Sequence, residues 1–119
     1  MSKQNPNSAS HEDNTFKLIF ANQLEPMLAN NTPVIVDTRD QASFDQSHIK
    51  GAIRLSNESL ADFLRETDPD DSVVVCCYHG ISSQQVAAYL ISQDFTDVAS
   101  LEGGFTHWQT QYPDQTESS

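Results

Sequence analysis

The sequence predicts an α/β fold: a single domain with about five mainly parallel strands and helices on both faces. Three observations carry that reading. Short runs rich in Val and Ile recur at Val34 to Asp37, Val73 to Cys76 and Val98 to Leu101, each apolar at successive positions, as in strands covered on two sides. Helical spacing fills the gaps between the runs, and alternation of strand with helix builds a parallel sheet. The length of 119 residues suits one core.

Taken in chain order, residues 1–14 hold Ser, Asn, Pro, Gln and charges without apolar periodicity. Ordering them would cost backbone entropy that no burial offsets, so a disordered N-terminal tail is expected. Phe16 to Phe20 is a weaker strand candidate. Asn22 to Ala29 reads as a helix, with Pro26 near the first turn, where its ring is best tolerated. After the strand at Val34 to Asp37, Ile53 to Leu55 is another weak strand. Ser56 precedes Leu60, Phe63 and Leu64, an i, i+3, i+4 stripe that faces a sheet, and Asp68-Pro69-Asp70-Asp71 ends that helix. The strand at Val73 to Cys76 is followed by Ser82 and Gln85 at capping-box spacing, then by Val86, Ala87, Tyr89, Leu90 and Ile91. The strand Val98 to Leu101 leads into a last helix over Gly103 to Gln111. Residues 112–119 repeat the polar character of the start and are expected to form a C-terminal tail, leaving the domain at 15–111.

Composition narrows the function. Hydrophobic residues make up 37%, and no stretch approaches the ~20 apolar residues that cross a bilayer, so no membrane role is expected. Seventeen acidic against six basic residues give a net charge of -11, a field that repels phosphate backbones and argues against nucleic-acid binding. The polar start lacks the apolar centre of a secretory signal, and a cytoplasmic location is expected. The two cysteines, Cys76 and Cys77, are adjacent. Their α-carbons sit ~3.80 Å apart across a trans peptide, too close for the ~4.4–6.8 Å of an ordinary bridge. Two vicinal cysteines with His79 also lack metal-site spacing, so neither a metal nor another cofactor is expected. Thiol chemistry or buried packing remains.

The segment Val73-Val74-Val75-Cys76-Cys77-Tyr78-His79-Gly80-Ile81-Ser82-Ser83 carries the chemistry. It sets a cysteine at the carboxyl end of a central strand, where open parallel sheets bind ligands, then a glycine-containing loop, then a helix start. A loop this tight turns successive N–H groups inward, making an anion nest aligned with the helix dipole. Cys77 is therefore the candidate nucleophile, because such surroundings lower a thiol pKa from ~8.5 toward neutrality. Cys76 lies within the strand and is expected to point away and pack. Tyr78 reads as a pocket wall and His79 as a rim residue. Ser82 and Ser83 read as helix caps first, with hydroxyls able to turn toward an anion.

These residues resemble the rhodanese-domain family, and within it the GlpE-type single-domain thiosulfate sulfurtransferases. The resemblance runs from about Phe16 to Pro113. Asp37-Thr38-Arg39 is similar to the family's D-x-R signature, followed at the family's spacing by Phe44 and His48-Ile49-x-Gly51-Ala52. Cys77-Tyr78-His79-Gly80-x-Ser82-Ser83 resembles the active loop, and Gly103-Gly104 with Trp108 resembles the closing G-G-x-x-x-W. The resemblance implies that the Cys77 thiolate takes the sulfane sulfur of thiosulfate, releases sulfite and holds a persulfide. Backbone donors from Tyr78, His79, Gly80, Ile81, Ser82 and Ser83 would bind the substrate and hold its charge. Cyanide or a thioredoxin-like dithiol would accept the sulfur.

Departures from the family pattern stand beside the matches. Ser82 occupies the position where many rhodaneses carry Arg, which shifts thiosulfate binding onto amides and the helix dipole. Lys50 replaces a frequent Pro, and Asp94 replaces a helix-ending Gly, at modest cost because Asp tolerates the left-handed region. Asp37 and Arg39 are expected to brace loops through an ion pair, His48 with Gly51 to shape a turn, and Trp108 to fill core volume. Arg54 is a candidate to approach the pocket. A rhodanese-related phosphatase would need Arg six positions after the cysteine, where Ser83 stands. A carrier or interaction module remains as a rival, to be separated by turnover.

Overall fold

The computed structural model describes residues 15–30 and 32–119; the expected N-terminal tail over 1–14 lies outside them. Seven strands form: β1 (Lys17–Ile19), β2 (Val34–Asp37), β3 (His48–Ile49), β4 (Ile53–Arg54), β5 (Ser72–Cys76), β6 (Asp97–Leu101) and β7 (Thr116–Glu117). Five helices accompany them: α1 (Ala21–Leu24), α2 (Gln41–Gln46), α3 (Leu60–Glu66), α4 (Ser82–Ser92) and α5 (Gly104–Gln111). The main sheet has the order β1-β6-β5-β2-β4, and every pairing in it is parallel. None of the described helices is long and apolar enough to cross a membrane.

Strand alternation divides the core in two. Ile35, Val74 and Cys76 face one side with Ala21 and Leu24 of α1, Phe44 of α2, and Phe105 and Trp108 of α5. Val36, Val73 and Val75 face the other with Phe63 of α3 and Ala87 and Leu90 of α4. Both faces are thus covered, which is why these strands read as continuous apolar runs rather than as an alternating pattern.

Several boundaries differ from the sequence expectation. The helix expected over Asn22 to Ala29 is one α turn followed by a 3-10 stretch at Glu25–Asn30; Pro26 has no N–H to return to the carbonyl four residues back, so the α ladder stops there. The helix after Ser56 starts only at Leu60, because Ser56 and Ser59 bond each other in a turn (Ser56 N to Ser59 Oγ, 3.0 Å). Helix α2 was not expected; Asp40 caps it, accepting from the Ser43 amide at 3.1 Å. Asp94 takes φ 74° after α4, the left-handed conformation anticipated for it.

The expected C-terminal tail over 112–119 is instead docked. Strand β7 pairs antiparallel with β3, and the Gln115 carbonyl accepts from Trp108 Nε1 (3.2 Å) and from the Lys50 amide (3.1 Å). Composition treats the segment as if it stood alone. Here an open strand edge and a buried indole supply its partners, and those offset the ordering entropy. His48 serves this clasp as well as the turn: its ring stacks on Phe44 (3.9 Å between centroids) and Nε2 lies 3.4 Å from Glu117.

Candidate active site

Strand β5 pairs with β2 in the middle of the sheet, and the chain leaves it at Cys77, at the carboxyl ends of the strands. From there a loop of four residues, Tyr78 to Ile81, reaches the first turn of α4. Gly80 makes the reversal possible: its φ is +86°, and a Cβ there would stand 2.8 Å from both the Gly103 amide and the Leu101 carbonyl. The loop is fixed from behind by α5. Its Phe105 amide donates to the Cys77 carbonyl (2.8 Å) and its Thr106 amide to the Tyr78 carbonyl (3.0 Å). Gly104 permits that approach, since a side chain at this position would collide with both carbonyls. With the Cys77 and Tyr78 carbonyls drawn toward α5, the Gly80 amide is left facing the sulfur.

Two amides donate to Cys77 Sγ, and a hydroxyl accepts from its thiol and can donate to its thiolate. The Gly80 amide lies at 3.1 Å, the Ser83 amide at 3.3 Å and the Ser83 hydroxyl at 3.2 Å. Ser83 is fully buried, and its Oγ lies 2.7 Å from Ser100 Oγ on β6, which fixes its place. Burial pushes the Cys77 thiol up, but the Ser83 and Ser82 hydroxyls and the Ser83 and Gly80 amides outweigh it, bringing the pKa down to about 7. The amides of His79, Ile81 and Ser82 have no protein acceptor among the described residues.

Cys76, one residue earlier, has the opposite surroundings. It is fully buried under α5, its Sγ lies 3.5 Å from the Cys77 carbonyl, and burial together with the Asp37 charge holds its pKa well above the ordinary value.

The remaining sequence-singled residues sort by position. Ser82 is not the cap: Ile81 holds that place and Ser82 is the first helical residue, without a side-chain capping bond. The helix start is instead tied by the Gln84 amide to the Ile81 carbonyl (3.1 Å) and by Gln84 Nε2 to the Gly80 carbonyl (2.9 Å). Tyr78 and His79 are exposed on the loop, and Ile81, 75% exposed, forms its tip. Asp37 and Arg39 form a buried bidentate pair (2.8 Å for Nη2 to Oδ2), and Arg39 also donates to the Ser47 carbonyl (2.7 Å) and lies 4.2 Å from the Phe105 ring centroid. They brace α2 and α5 against the sheet. Trp108 is completely buried.

Two contributors escaped sequence reasoning. Asp40 accepts from the Tyr78 hydroxyl and from the Ser43 amide and hydroxyl, and these bonds lower its carboxyl to about 2; the Tyr78 hydroxyl also lies 2.6 Å from Ser43 Oγ, and together the contacts anchor the loop to α2. An Asp before a short helix is a recognisable cap signal, but its partner 38 residues away is not. Ser100 likewise reaches Ser83 only through the β5–β6 pairing.

A model of the rhodanese-like domain matches residues 20–111. The thiosulfate sulfurtransferase GlpE of Pseudomonas syringae is 48% identical over 101 residues, 85% of this chain and 94% of its own length. The protein of the same name in Shewanella oneidensis is 51% identical over 94 residues, 79% of this chain and 93% of its own. Among solved structures, the Alr3790 protein from Anabaena sp. is similar with a TM-score of 0.74 at 25% identity, over 85% of this chain and 82% of its own. A rhodanese-like domain protein from Staphylococcus aureus has a TM-score of 0.68 at 26% identity, over 78% and 91%. With a five-stranded parallel sheet, a cysteine in an amide-lined loop at its carboxyl edge and relatives matching over most of the chain, this protein belongs to the rhodanese-like domain family.

Proposed function

We propose that the chain is a thiosulfate sulfurtransferase acting by double displacement through Cys77. The observation that carries this reading is one sulfur, held near neutrality by converging amides and a hydroxyl, on a loop with further amides that have no protein acceptor among the described residues. The relatives' names support the same donor. The Cys77 thiolate attacks the outer sulfur of thiosulfate; the new S–S bond forms as the old one breaks, and sulfite leaves with the electron pair. The amides of His79, Ile81 and Ser82 hold the charge on the incoming dianion and on the persulfide that remains. No Lys or Arg lies within the loop from Cys77 to Ser83, so these donors and the end of α4 carry the binding. A thiolate acceptor, or cyanide in the assay, then removes the outer sulfur and restores the thiolate. A cytoplasmic setting, where thiols stay reduced, suits this cycle.

The test is intact-protein mass spectrometry after thiosulfate treatment. One added sulfur atom per chain is expected, removed by cyanide and absent from Cys77→Ser. An unchanged mass in the wild type would overturn the reading, and loading that no acceptor discharges at a useful rate would make the chain a carrier.

A further inference from the structure

We propose that Gln84 is a positioning residue for the anionic sulfur donor: by holding the Gly80 and Ile81 carbonyls, it aims the Ile81 and Ser82 amides at the place the donor occupies beside Cys77. This role rests on the sulfur-transfer reading above and deepens it by naming what sets donor binding. A thiosulfate dianion meets a chain of net charge -11, and the loop from Cys77 to Ser83 has no Lys or Arg to offset that field. Backbone dipoles must hold the donor, so their direction decides how well it binds.

In a trans peptide the C=O and the N–H point to opposite sides, so whatever holds a carbonyl also aims the next amide. Three loop carbonyls are held in this way. The Thr106 amide of α5 takes the Tyr78 carbonyl (3.0 Å), which turns the His79 N–H away from α5. Gln84 takes the other two: its side-chain Nε2 donates to the Gly80 carbonyl (2.9 Å) and its backbone N–H to the Ile81 carbonyl (3.1 Å). The N–H groups of Ile81 and Ser82 are thereby turned out of the end of α4. Ser82 is the first helical residue, and Ile81 before it has helical dihedrals as well (φ -99°, ψ -59°). The N–H groups of Ile81, Ser82 and Ser83 therefore run nearly parallel, as in any first turn. The third of them ends on Cys77 Sγ at 3.3 Å, which fixes the direction of the other two.

The chemistry of the Gln84 side chain suits this task. A Gln in the first turn commonly reaches back with its oxygen and occupies a free N–H at the helix start. Here the half-buried side chain presents its nitrogen to a carbonyl instead, and the Ile81 and Ser82 amides keep no protein acceptor among the described residues. The labour is divided: α5 aims the His79 amide through backbone, and Gln84 aims the next two through one side chain and its own N–H. The Gly80 and Ser83 donors to Cys77 Sγ belong to peptides that the Gln84 side chain does not touch, so donor binding and thiol ionisation are separable.

The experiment follows the two halves of the double displacement separately, as kcat/KM for thiosulfate and kcat/KM for cyanide, in wild type, Gln84→Met and Gln84→Glu. Both variants keep the side-chain length and the helix propensity while losing the donor, and melting temperatures check that each folds. For Gln84→Met the thiosulfate value is expected to fall about fivefold, the size of one neutral hydrogen bond, with the cyanide value in place. Gln84→Glu, whose carboxylate is repelled by the Gly80 carbonyl and by the donor, is expected to fall further. Equal loss in both halves would reveal a purely structural role and overturn the proposal; loss in Gln84→Glu alone would reduce it to added charge and overturn it too. Alkylation gives a readout free of sulfur transfer. Iodoacetate and iodoacetamide react with the same thiolate, so the ratio of their rates cancels the ionisation of Cys77 and reads the pull on a carboxylate. That ratio is expected to fall several-fold in Gln84→Met, and an unchanged ratio would show that the amides are aimed without Gln84. A wild type that loads no sulfur would instead remove the reading on which the role rests, while the alkylation ratio would still decide the aim of the amides.

Discussion

Cys76 and Cys77 share a peptide bond, yet one sulfur is packed beneath α5 among apolar side chains and the other lies within hydrogen-bonding reach of two amides and a hydroxyl. Burial is nearly equal, 0% and 2% exposed, so access alone does not separate them. The difference lies in what replaces water. Around Cys76 desolvation and the Asp37 charge outweigh the pull of Arg39 and of the Phe105 amide, and the thiol stays protonated. Around Cys77 the donors were aligned during folding, because α5 holds the loop's carbonyls on the far side. Solvation by fixed dipoles, rather than exposure, brings one thiol down toward neutrality while the other stays high.

The comparison breaks most sharply by exchange of each sulfur in turn. Cys77→Ser is expected to abolish thiosulfate-to-cyanide transfer. Cys76→Ser is expected to retain most of it, because its hydroxyl can still donate to the Cys77 carbonyl, while losing about 1–3 kcal/mol of stability to burial of a polar group. Steady-state assay and chemical denaturation of both variants decide it; equal loss of turnover in the two would place the active sulfur wrongly.

A second comparison isolates the alignment itself. Gly104 and Gly51 both have positive φ, +62° and +83°, so alanine strains either backbone by about 1–2 kcal/mol. Only Gly104 faces the Cys77 and Tyr78 carbonyls; nothing lies within 4 Å of a Cβ at Gly51. Gly104→Ala is expected to push the loop off α5 and lower turnover about 10²-fold, the scale of a misplacement near 1 Å. Gly51→Ala is expected to lower the melting temperature without that loss. Matching thermal shifts with matching activities would show that the contact from α5 does not set the loop.

Much of this was legible in advance. The Val-rich runs are visible because a strand buried on both faces must be apolar at every position, and Val34–Asp37, Ser72–Cys76 and Asp97–Leu101 lie within a residue of their expected places. The loop that holds Cys77 was legible because its signal is local: strand end, glycine, helix start. What stayed hidden depends on partners distant in sequence. Strand β3 exists through β7, the C-terminal segment is ordered by Trp108 and Lys50, and Asp40 matters through Tyr78. From sequence alone Ser82 and Ser83 both read as caps. Their difference is one of helix phase: position 83 turns inward toward Cys77 and Ser100, whereas position 82 is exposed.

That inward hydroxyl gives the finest division between the two sulfurs, because removing it moves Cys77 part of the way toward the state of Cys76. The Ser83→Ala variant keeps both amides and loses one donor to a charged acceptor, a contact worth about 1.5–3 kcal/mol when intact and less once the amides adjust. At ~1.4 kcal/mol per pKa unit, a rise of about one unit is expected. The thiolate is the reactive form, so its fraction grows as pH rises through the pKa. Wild type, with Cys77 at about 7, is half ionised at neutrality, and the variant is expected to react about fivefold more slowly there, with the two rates converging above about pH 9. The rate of alkylation by iodoacetamide, followed from pH 5 to 10, measures the shift directly. A uniform loss at every pH would mean that the Ser83 hydroxyl acts on the incoming sulfur donor and leaves the thiol pKa to the amides alone.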